Sequence, residues 1–359
     1  MGVFYFCTMK VDYLIVGLGI AGLTVAEHLK RRKKSFLVVE NGSQTSSWVA
    51  GGVYNPVILK RFTPVWNATA QLDYAIPFYQ SLEAHFKQKY IYPLEILRIF
   101  KSIEEQNNWF SSADHPAMAP YLSTKVLQNN SPFISAPMGF GKMNKTGRVN
   151  IELLLADYKR ELEDEQLLLH STLDYSKIDF KGGEVGYGNI LAKRIIFCEG
   201  FGLMQNPFFN YLPMQGLKGE VITIKAPELN LEQLLKSGVF VMPLGEDLYK
   251  VGATFNWQDK TNEVTVAGKM ELEEKVKEFI KIPFDIVDQK AGVRPTVADR
   301  RPLLGKHPKH PELVVFNGLG TRGVMISPLL SAQLIDHLEA DIPLAQEVDI
   351  NRFKKRFIA

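Results

Sequence analysis

The chain is poor in the features that usually announce reactive chemistry. Its 359 residues include two cysteines, Cys7 and Cys198, too few for a disulfide framework and suited to a reducing compartment. No HExxH, CxxC or GxSxG arrangement occurs, the seven histidines are dispersed, and no metal site is expected. Even His307 and His310, in His307-Pro308-Lys309-His310-Pro311, read as an ordinary surface turn. Apolar runs stop well short of the roughly 20 residues a membrane span requires, and the N-terminus lacks a signal-peptide layout. Residues 1–8 read as an extension upstream of a more natural start at Met9, and the cytoplasm is the expected compartment. Charge is balanced, 42 basic against 39 acidic residues, so a net of +3 calls for no nucleic-acid partner. The densest basic runs, Lys30-Arg31-Arg32-Lys33-Lys34 and Arg352-Phe353-Lys354-Lys355-Arg356, read as solvated. The first also complements the dipole where a helix ends.

What is present is a globular composition, 46% hydrophobic and 23% charged, long enough for one or two domains. Near its start, the apolar strand Tyr13-Leu14-Ile15-Val16 runs into Gly17-Leu18-Gly19-Ile20-Ala21-Gly22. Leu23, Ala26 and Leu29 then recur at helical spacing, and Phe36-Leu37-Val38-Val39 forms a second strand ending on Glu40. Seventeen residues separate Gly22 from Glu40. Strand, glycine turn, helix, strand and acid in this order make a dinucleotide-binding unit. Gly17 permits the turn, Gly19 lets backbone approach a pyrophosphate, and Gly22 lets the helix pack on the strand. The helix N-terminus, beginning at Ile20 and Ala21, would face the phosphates, and Glu40 would accept hydrogen bonds from a ribose diol.

Helical periodicity continues at 68–86, 151–163, 270–280 and 328–339. Strand-like runs cover Ile195-Ile196-Phe197, Gly219 to Ile224, Val239 to Met242, Tyr249 to Ala253 and Leu313 to Phe316. Helices alternate with strands at both ends of the chain, whereas residues 206–260 are strand-rich. The expected architecture is α/β, a Rossmann-like nucleotide domain assembled from 9–85, 146–205 and 290–359. A mixed-sheet α+β substrate domain is expected from 86–145 and 206–289.

Several further segments follow in a telling order. Ser46-Ser47-Trp48-Val49-Ala50-Gly51-Gly52 is small and polar, suited to lying along an extended cofactor. Lys193 to Phe197 is a buried strand that ends at Cys198-Glu199-Gly200. Ala291-Gly292-Val293-Arg294-Pro295 and Pro302-Leu303-Leu304-Gly305 come next, then Asn317-Gly318-Leu319-Gly320-Thr321-Arg322-Gly323. With Val241-Met242-Pro243 and Val251-Gly252-Ala253-Thr254, this ensemble resembles the D-amino-acid oxidase superfamily of FAD enzymes, and glycine oxidases in particular. Residues 90–145 match it only loosely. The resemblance implies a noncovalent FAD held by Gly17–Gly22, Glu40, Ser46, Ser47, Ala50, Gly51, Gly52, Gly200, Gly318, Gly320, Thr321, Arg322 and Gly323. It implies oxidation of the C–N bond of an amine or amino acid, and Arg294 as the group that holds a substrate carboxylate. A guanidinium fork matches two carboxylate oxygens. The competing role for Arg294 is an ion pair with a protein acid such as Asp299. The loop from Gly318 would donate amides to the flavin's pyrimidine edge, where the following helix favours negative charge.

The sequence departs from the family pattern at one place. A tyrosine often precedes the VxP-like proline and helps bind the carboxylate; the corresponding residue here is Phe240. The missing hydroxyl removes one charge-assisted hydrogen bond, roughly 1.5–3 kcal/mol. Tyr54 and Tyr249 are the candidates to replace it. Asn55, before Pro56, reads equally as a substrate contact or as turn chemistry. Cys198 reads as a small core residue. A second reading comes from the loop at Gly318, which resembles that of the FAD domain that trims carboxymethylaminomethyl uridine in tRNA. A third is a flavin-binding subunit or sensor with little turnover. Oligomeric state has no signature in the sequence.

Overall fold

The computed structural model describes residues 8–358, so Cys7 and residues 1–7 of the expected extension lie outside the described residues. The chain divides into two compact units. One comprises residues up to Trp48, Glu152–Gly216 and Val293 onward; the other comprises Val49–Ile151 and Leu217–Gly292.

The first unit is built on parallel strands. Leu168–His170, Phe36–Glu40, Met9–Val16 and Ile190–Phe197 lie side by side in that order, all parallel. The far edge of Ile190–Phe197 is shared. Its first half pairs antiparallel with Glu184–Tyr187, which turns back to Ile178–Lys181. Its second half pairs parallel with Leu313–Asn317, which carries Leu303–Lys306 antiparallel on its other side. Tyr13–Val16, Phe36–Val39 and Ile195–Phe197 are buried without alternation, as befits strands covered on both faces. The helices Ile20–Arg31 and Gly323–Ala340 pack together. The basic run at Lys30 is not merely solvated. Lys30 reaches Glu161 and Glu165 at 3.0 and 2.9 Å, Arg32 pairs with Asp336, and Lys34 pairs with Glu339. It ties the first helix and its exit to Ile151–Asp164 and Gly323–Ala340. Arg352 likewise anchors the C-terminal turn, on Asp299 at 2.8 Å and on the carbonyls of Arg301 and Pro302.

The second unit centres on an eight-stranded mixed sheet ordered Asp285–Val297, Met214–Lys225, Leu248–Gly252, Phe240–Gly245, Leu234–Lys236, Ile96–Ile99, Phe140–Met143 and Leu122–Leu127. Its two faces carry different side chains. Val239, Val241, Tyr249 and Val251 join Leu272 and Val276 of the helix Val266–Lys277 in one apolar cluster. Met242 and Phe240 belong to another, around Trp109 of the helix Ile103–Ala113. Phe62 and Phe100 meet the Trp109 ring edge-on, both at 5.5 Å.

The unit boundaries depart from those expected. Residues 49–85 and 146–151 lie in the second unit, because Gly147–Val149 pairs with both Val53–Tyr54 and Ile91–Pro93. Residues 206–216 lie in the first, where Phe209, Leu212 and Met214 enter its core. The helix Ile103–Ala113 and the strands at 122–127 and 140–143 fill the stretch that matched the family only loosely. His307 is no surface turn either; it is buried against Phe209 and Phe357, while His310 stacks on Phe180 at 4.2 Å. Among the described residues, no helix is long and apolar enough to cross a membrane.

Candidate functional site

The glycine turn at the end of Met9–Val16 leaves no room for side chains. Gly17 has φ +100°, and a Cβ there would stand 2.6 Å from the Cys198 carbonyl oxygen. A Cβ on Gly22 would lie 1.9 Å from the carbonyl oxygen of Gly17, so the helix sits directly on the turn that precedes it. The helix starts without a side-chain cap from Gly19; instead, the Ile20 amide donates to Ser47 Oγ at 3.1 Å. Glu40 stands at the mouth of the same turn, where its carboxylate accepts from the backbone amides of Leu18 and Gly42. Bare backbone at a helix N-terminus, with an acid fixed beside it, fits the pyrophosphate and ribose of a dinucleotide. Ser46 and Ser47 open the short helix Ser46–Val49.

The second glycine loop belongs to the same unit. Asn317 ends its strand by donating from Nδ2 to the Gly200 carbonyl at 2.9 Å, while its Oδ1 accepts from Gly318. Gly200, Gly318 and Gly320 all have positive φ, and a Cβ on Gly318 would strike Val297 at 2.5 Å. The Gly320 amide donates to the Pro295 carbonyl at 3.0 Å. That bond brings the loop beside Arg294, the residue before Pro295 on the strand Asp285–Val297. Arg322 is the N-cap of the helix beginning at Gly323, with Thr321 exposed just before it. Gly323 lies against the first helix, where a Cβ would be 3.0 Å from Ile20 Cγ2. The two glycine loops, Glu40, Gly200 and Arg294 are thus assembled in one unit.

Desolvation dominates the electrostatics of both arginines. It holds the Arg294 guanidinium down to about 10, and with Arg300 nearby it also lowers Arg322. Asp299, the alternative partner for Arg294, is taken by Arg352. Burial likewise pushes the Cys198 thiol well above its ordinary range, as for an inert core residue. Beside it, burial raises the Glu199 carboxyl to about 7, although Tyr175 and Asn206 donate to it.

In the second unit, Gly52 has φ +66° and exchanges backbone contact with Val149, whose oxygen would be 1.9 Å from a Cβ. Ala50 and Gly51 lie just before it, and a Cβ on Gly51 would touch Phe240 and Met242 at 3.5 and 3.6 Å. Phe240 also approaches Gly252 on the neighbouring strand. Phe240 and Met242 therefore pack beside Gly51, at the edge of the cluster around Trp109. Met242 was not singled out by sequence; its only signal is that it shares a strand face with Phe240.

The two tyrosines part company. Tyr249 is a core residue: its ring joins the cluster beneath the helix Val266–Lys277, and its hydroxyl accepts from the Leu231 amide at 3.3 Å. Its strand pairs antiparallel with Phe240–Gly245, Tyr249 opposite Pro243 and Val251 opposite Val241 up to a bulge before Gly245, which puts Tyr249 on the Val241 face. Tyr54 instead lines a cavity with Thr69, Asp73, Tyr121 and Lys145. Asn55 Oδ1 accepts from the Val57 amide at 2.8 Å, which is turn chemistry. Among the described residues, no group of three or more His, Cys, Asp or Glu is placed to hold a metal ion.

A family model described as FAD dependent oxidoreductase (DAO) matches residues 12–337. Glycine oxidase of Geobacillus kaustophilus is 29% identical over 94% of this chain and 96% of its own length. The crystal structure of that glycine oxidase superposes with a TM-score of 0.80, at 19% identity over 96% of this chain and 98% of that one. Iminodiacetate oxidase from Chelativorans sp. BNC1 superposes with a TM-score of 0.75, at 18% identity over 94% and 98% of the two chains. The tRNA 5-methylaminomethyl-2-thiouridine biosynthesis bifunctional protein MnmC of Marinobacter nauticus is 19% identical over 90% of this chain, which spans 55% of that protein.

Proposed function

This chain belongs to the DAO family of FAD-dependent oxidoreductases, and from that premise we propose that it oxidises the C–N bond of a small amine that carries a carboxylate. The substrate class is an amino acid or an N-substituted glycine. Bound FAD supplies the hydride-accepting chemistry; the resulting imine is hydrolysed by water.

One observation carries the reading: Arg294, partly desolvated, lies next to Pro295, whose carbonyl holds the Gly318–Gly323 loop through Gly320. A guanidinium that has already lost water binds a carboxylate more strongly than an exposed one, and its fork fixes the direction of the substrate Cα–H bond. In the cofactor half, Gly17, Gly19, Ile20, Ala21 and Gly22 present backbone to the pyrophosphate, and Glu40 accepts from the ribose. Ser46, Ser47, Ala50, Gly51, Gly52, Gly200, Gly318, Gly320, Thr321, Arg322 and Gly323 serve the rest of the cofactor. Amides of the second loop and the N-terminus of Gly323–Ala340 favour negative charge where they point. Little acid–base machinery is needed when the amine enters neutral, so positioning carries much of the rate.

A second reading, a carboxymethylaminomethyl group on tRNA uridine, keeps the same role for Arg294. The observation in its favour is the loop after Leu248–Gly252, where Trp257 is exposed at 53% and presents an aromatic face to bases. An anaerobic bleaching screen of the purified flavoprotein decides. Glycine, sarcosine, proline, D-amino acids and the modified nucleoside are offered in turn. Bleaching by a free amino acid supports the first reading, and bleaching by the nucleoside alone supports the second. A protein that stays yellow with every amine is a flavin-binding subunit or sensor instead.

A further inference from the structure

The second unit contains a cavity of about 690 Å³, entirely within residues 54–146, that the oxidation chemistry above does not use. Its volume is within the range of small-molecule sites. Its wall is the exposed side of the helix Ala68–Phe86, where Thr69, Asp73 and Ile76 follow at intervals of four and three on one face. The opposite wall comes from Pro93, Leu94 and Met143–Thr146.

Three polar groups in this cavity are unspent. Tyr54 is 7% exposed, yet its hydroxyl has no hydrogen-bond partner among the described residues. The hydroxyl rests over Gly147, where a Cβ would come within 2.1 Å of it, so a glycine is what admits the phenol there. The ring is buried but the hydroxyl oxygen is not sealed off: it opens to the cavity, where it can donate to a ligand. Asp73 is exposed at the rim with no ion pair or hydrogen bond among the described residues. Lys145, also exposed, meets only the ring of Tyr121, at 5.8 Å. Tyr121 in turn shares a hydrogen bond of 2.6 Å with Thr69, one helical turn before Asp73. Of the cavity's two carboxylates, Glu95 is paired with Lys142, which leaves Asp73, Lys145 and the Tyr54 hydroxyl as one anion, one cation and one donor without a polar partner around an apolar floor of Leu72, Ile76 and Met143.

We propose that this cavity binds a second, non-reacting zwitterion, an apolar α-amino acid. Its carboxylate takes Lys145 and the Tyr54 hydroxyl, its ammonium takes Asp73, and its side chain lies on Leu72, Ile76 and Met143. Complementary charges at a partly apolar site select for both ends of the ligand at once.

The test is equilibrium dialysis of the FAD-loaded, full-length protein with α-methylleucine, which has no α-hydrogen and cannot be oxidised at its C–N bond. The expected result is saturable binding that Arg294→Ala leaves in place and that Asp73→Asn and Lys145→Met each weaken by about tenfold or more. Both substitutions are on exposed side chains and should leave the fold intact. N-acetyl-α-methylleucine and α-methylleucine amide, each lacking one charge, should bind correspondingly weakly. Tyr54→Phe should weaken binding while leaving the melting temperature of the unliganded protein unchanged or higher, which a hydroxyl with a structural role would not do. Binding that is abolished by Arg294→Ala and indifferent to Asp73 and Lys145 would overturn the proposal, as would no binding at millimolar ligand. Binding of either singly charged analogue as tightly as α-methylleucine itself would overturn the zwitterion assignment.

Discussion

The two compact units solve different problems with different residues. In the first, function is written in backbone: Gly17 and Gly22 are forbidden a Cβ by carbonyl oxygens at 2.6 and 1.9 Å, and the second loop repeats the device at Gly318. In the second, the sheet is held by side-chain packing. Trp109 and Tyr249 fill the clusters on its two faces, and at the cavity Asp73 makes no ion pair or hydrogen bond among the described residues. A dinucleotide needs close backbone approach whatever the substrate, so its cradle is rigid and motif-like. A face that sets specificity can vary residue by residue, and it leaves no motif.

The sharpest contrast is between glycines. Gly22→Ala should abolish retention of FAD, because the helix cannot shift off Gly17 without opening the turn. Gly238→Ala, in the second unit with nothing within 4 Å of its Cβ, should change stability by no more than about 0.5 kcal/mol. Flavin absorbance per protein and thermal melts read both; a tolerant Gly22 would erase the distinction. Next, Trp109→Ala should cost roughly 3–5 kcal/mol, since it removes a fully buried indole and the hydrogen bond from Nε1 to the Ser123 carbonyl. Denaturant unfolding checks it, and a loss under about 1 kcal/mol would mean that packing does not hold the second unit.

A third prediction concerns pH. Glu199 is a carboxyl raised from 4.5 to about 7 by burial, so the folded state binds its proton more tightly than the unfolded chain does. Its contribution to stability is complete below about 4.5 and is lost as pH rises through about 7. The loss is on the order of 3 kcal/mol at most. Glu199→Gln should flatten the fall in melting temperature between pH 5 and pH 8; an unchanged slope would remove Glu199 as its source. A smaller loss than for Glu199 is expected of Glu40→Ala, about tenfold weaker FAD binding, from loss of one ribose partner. Unchanged flavin content after dialysis would contradict that assignment.

The comparison also explains what could be read in advance. The first unit was legible because close contacts permit only glycine at fixed spacings, and buried parallel strands show as unbroken apolar runs such as Phe36–Val39. The 103–143 stretch was not, because its strands are short and its helix buries only Trp109 and Ala113. Tyr249 was misjudged for a related reason. Period-two alternation says that Tyr249 and Lys250 face opposite ways but not which face is the core; the pairing register decides that. The basic run at Lys30 reads as solvated in sequence because its partners, Glu161 and Asp336, lie more than a hundred residues away. In sequence Phe240 reads only as the position of a missing tyrosine; that it and Met242 touch Gly51 comes from the fold, because strand alternation does not say which segment covers that face.

Selection of a carboxylate by Arg294 is read out by matched ligands that differ in that group alone. Anaerobic flavin reduction would be followed with sarcosine and with sarcosine amide, in the native protein and in Arg294→Ala. The account predicts efficient bleaching by sarcosine or a related amino acid, with the substitution raising the half-saturating concentration about a hundredfold for the acid and only slightly for the amide. Equal effects on acid and amide would return Arg294 to a purely structural role and contradict the account.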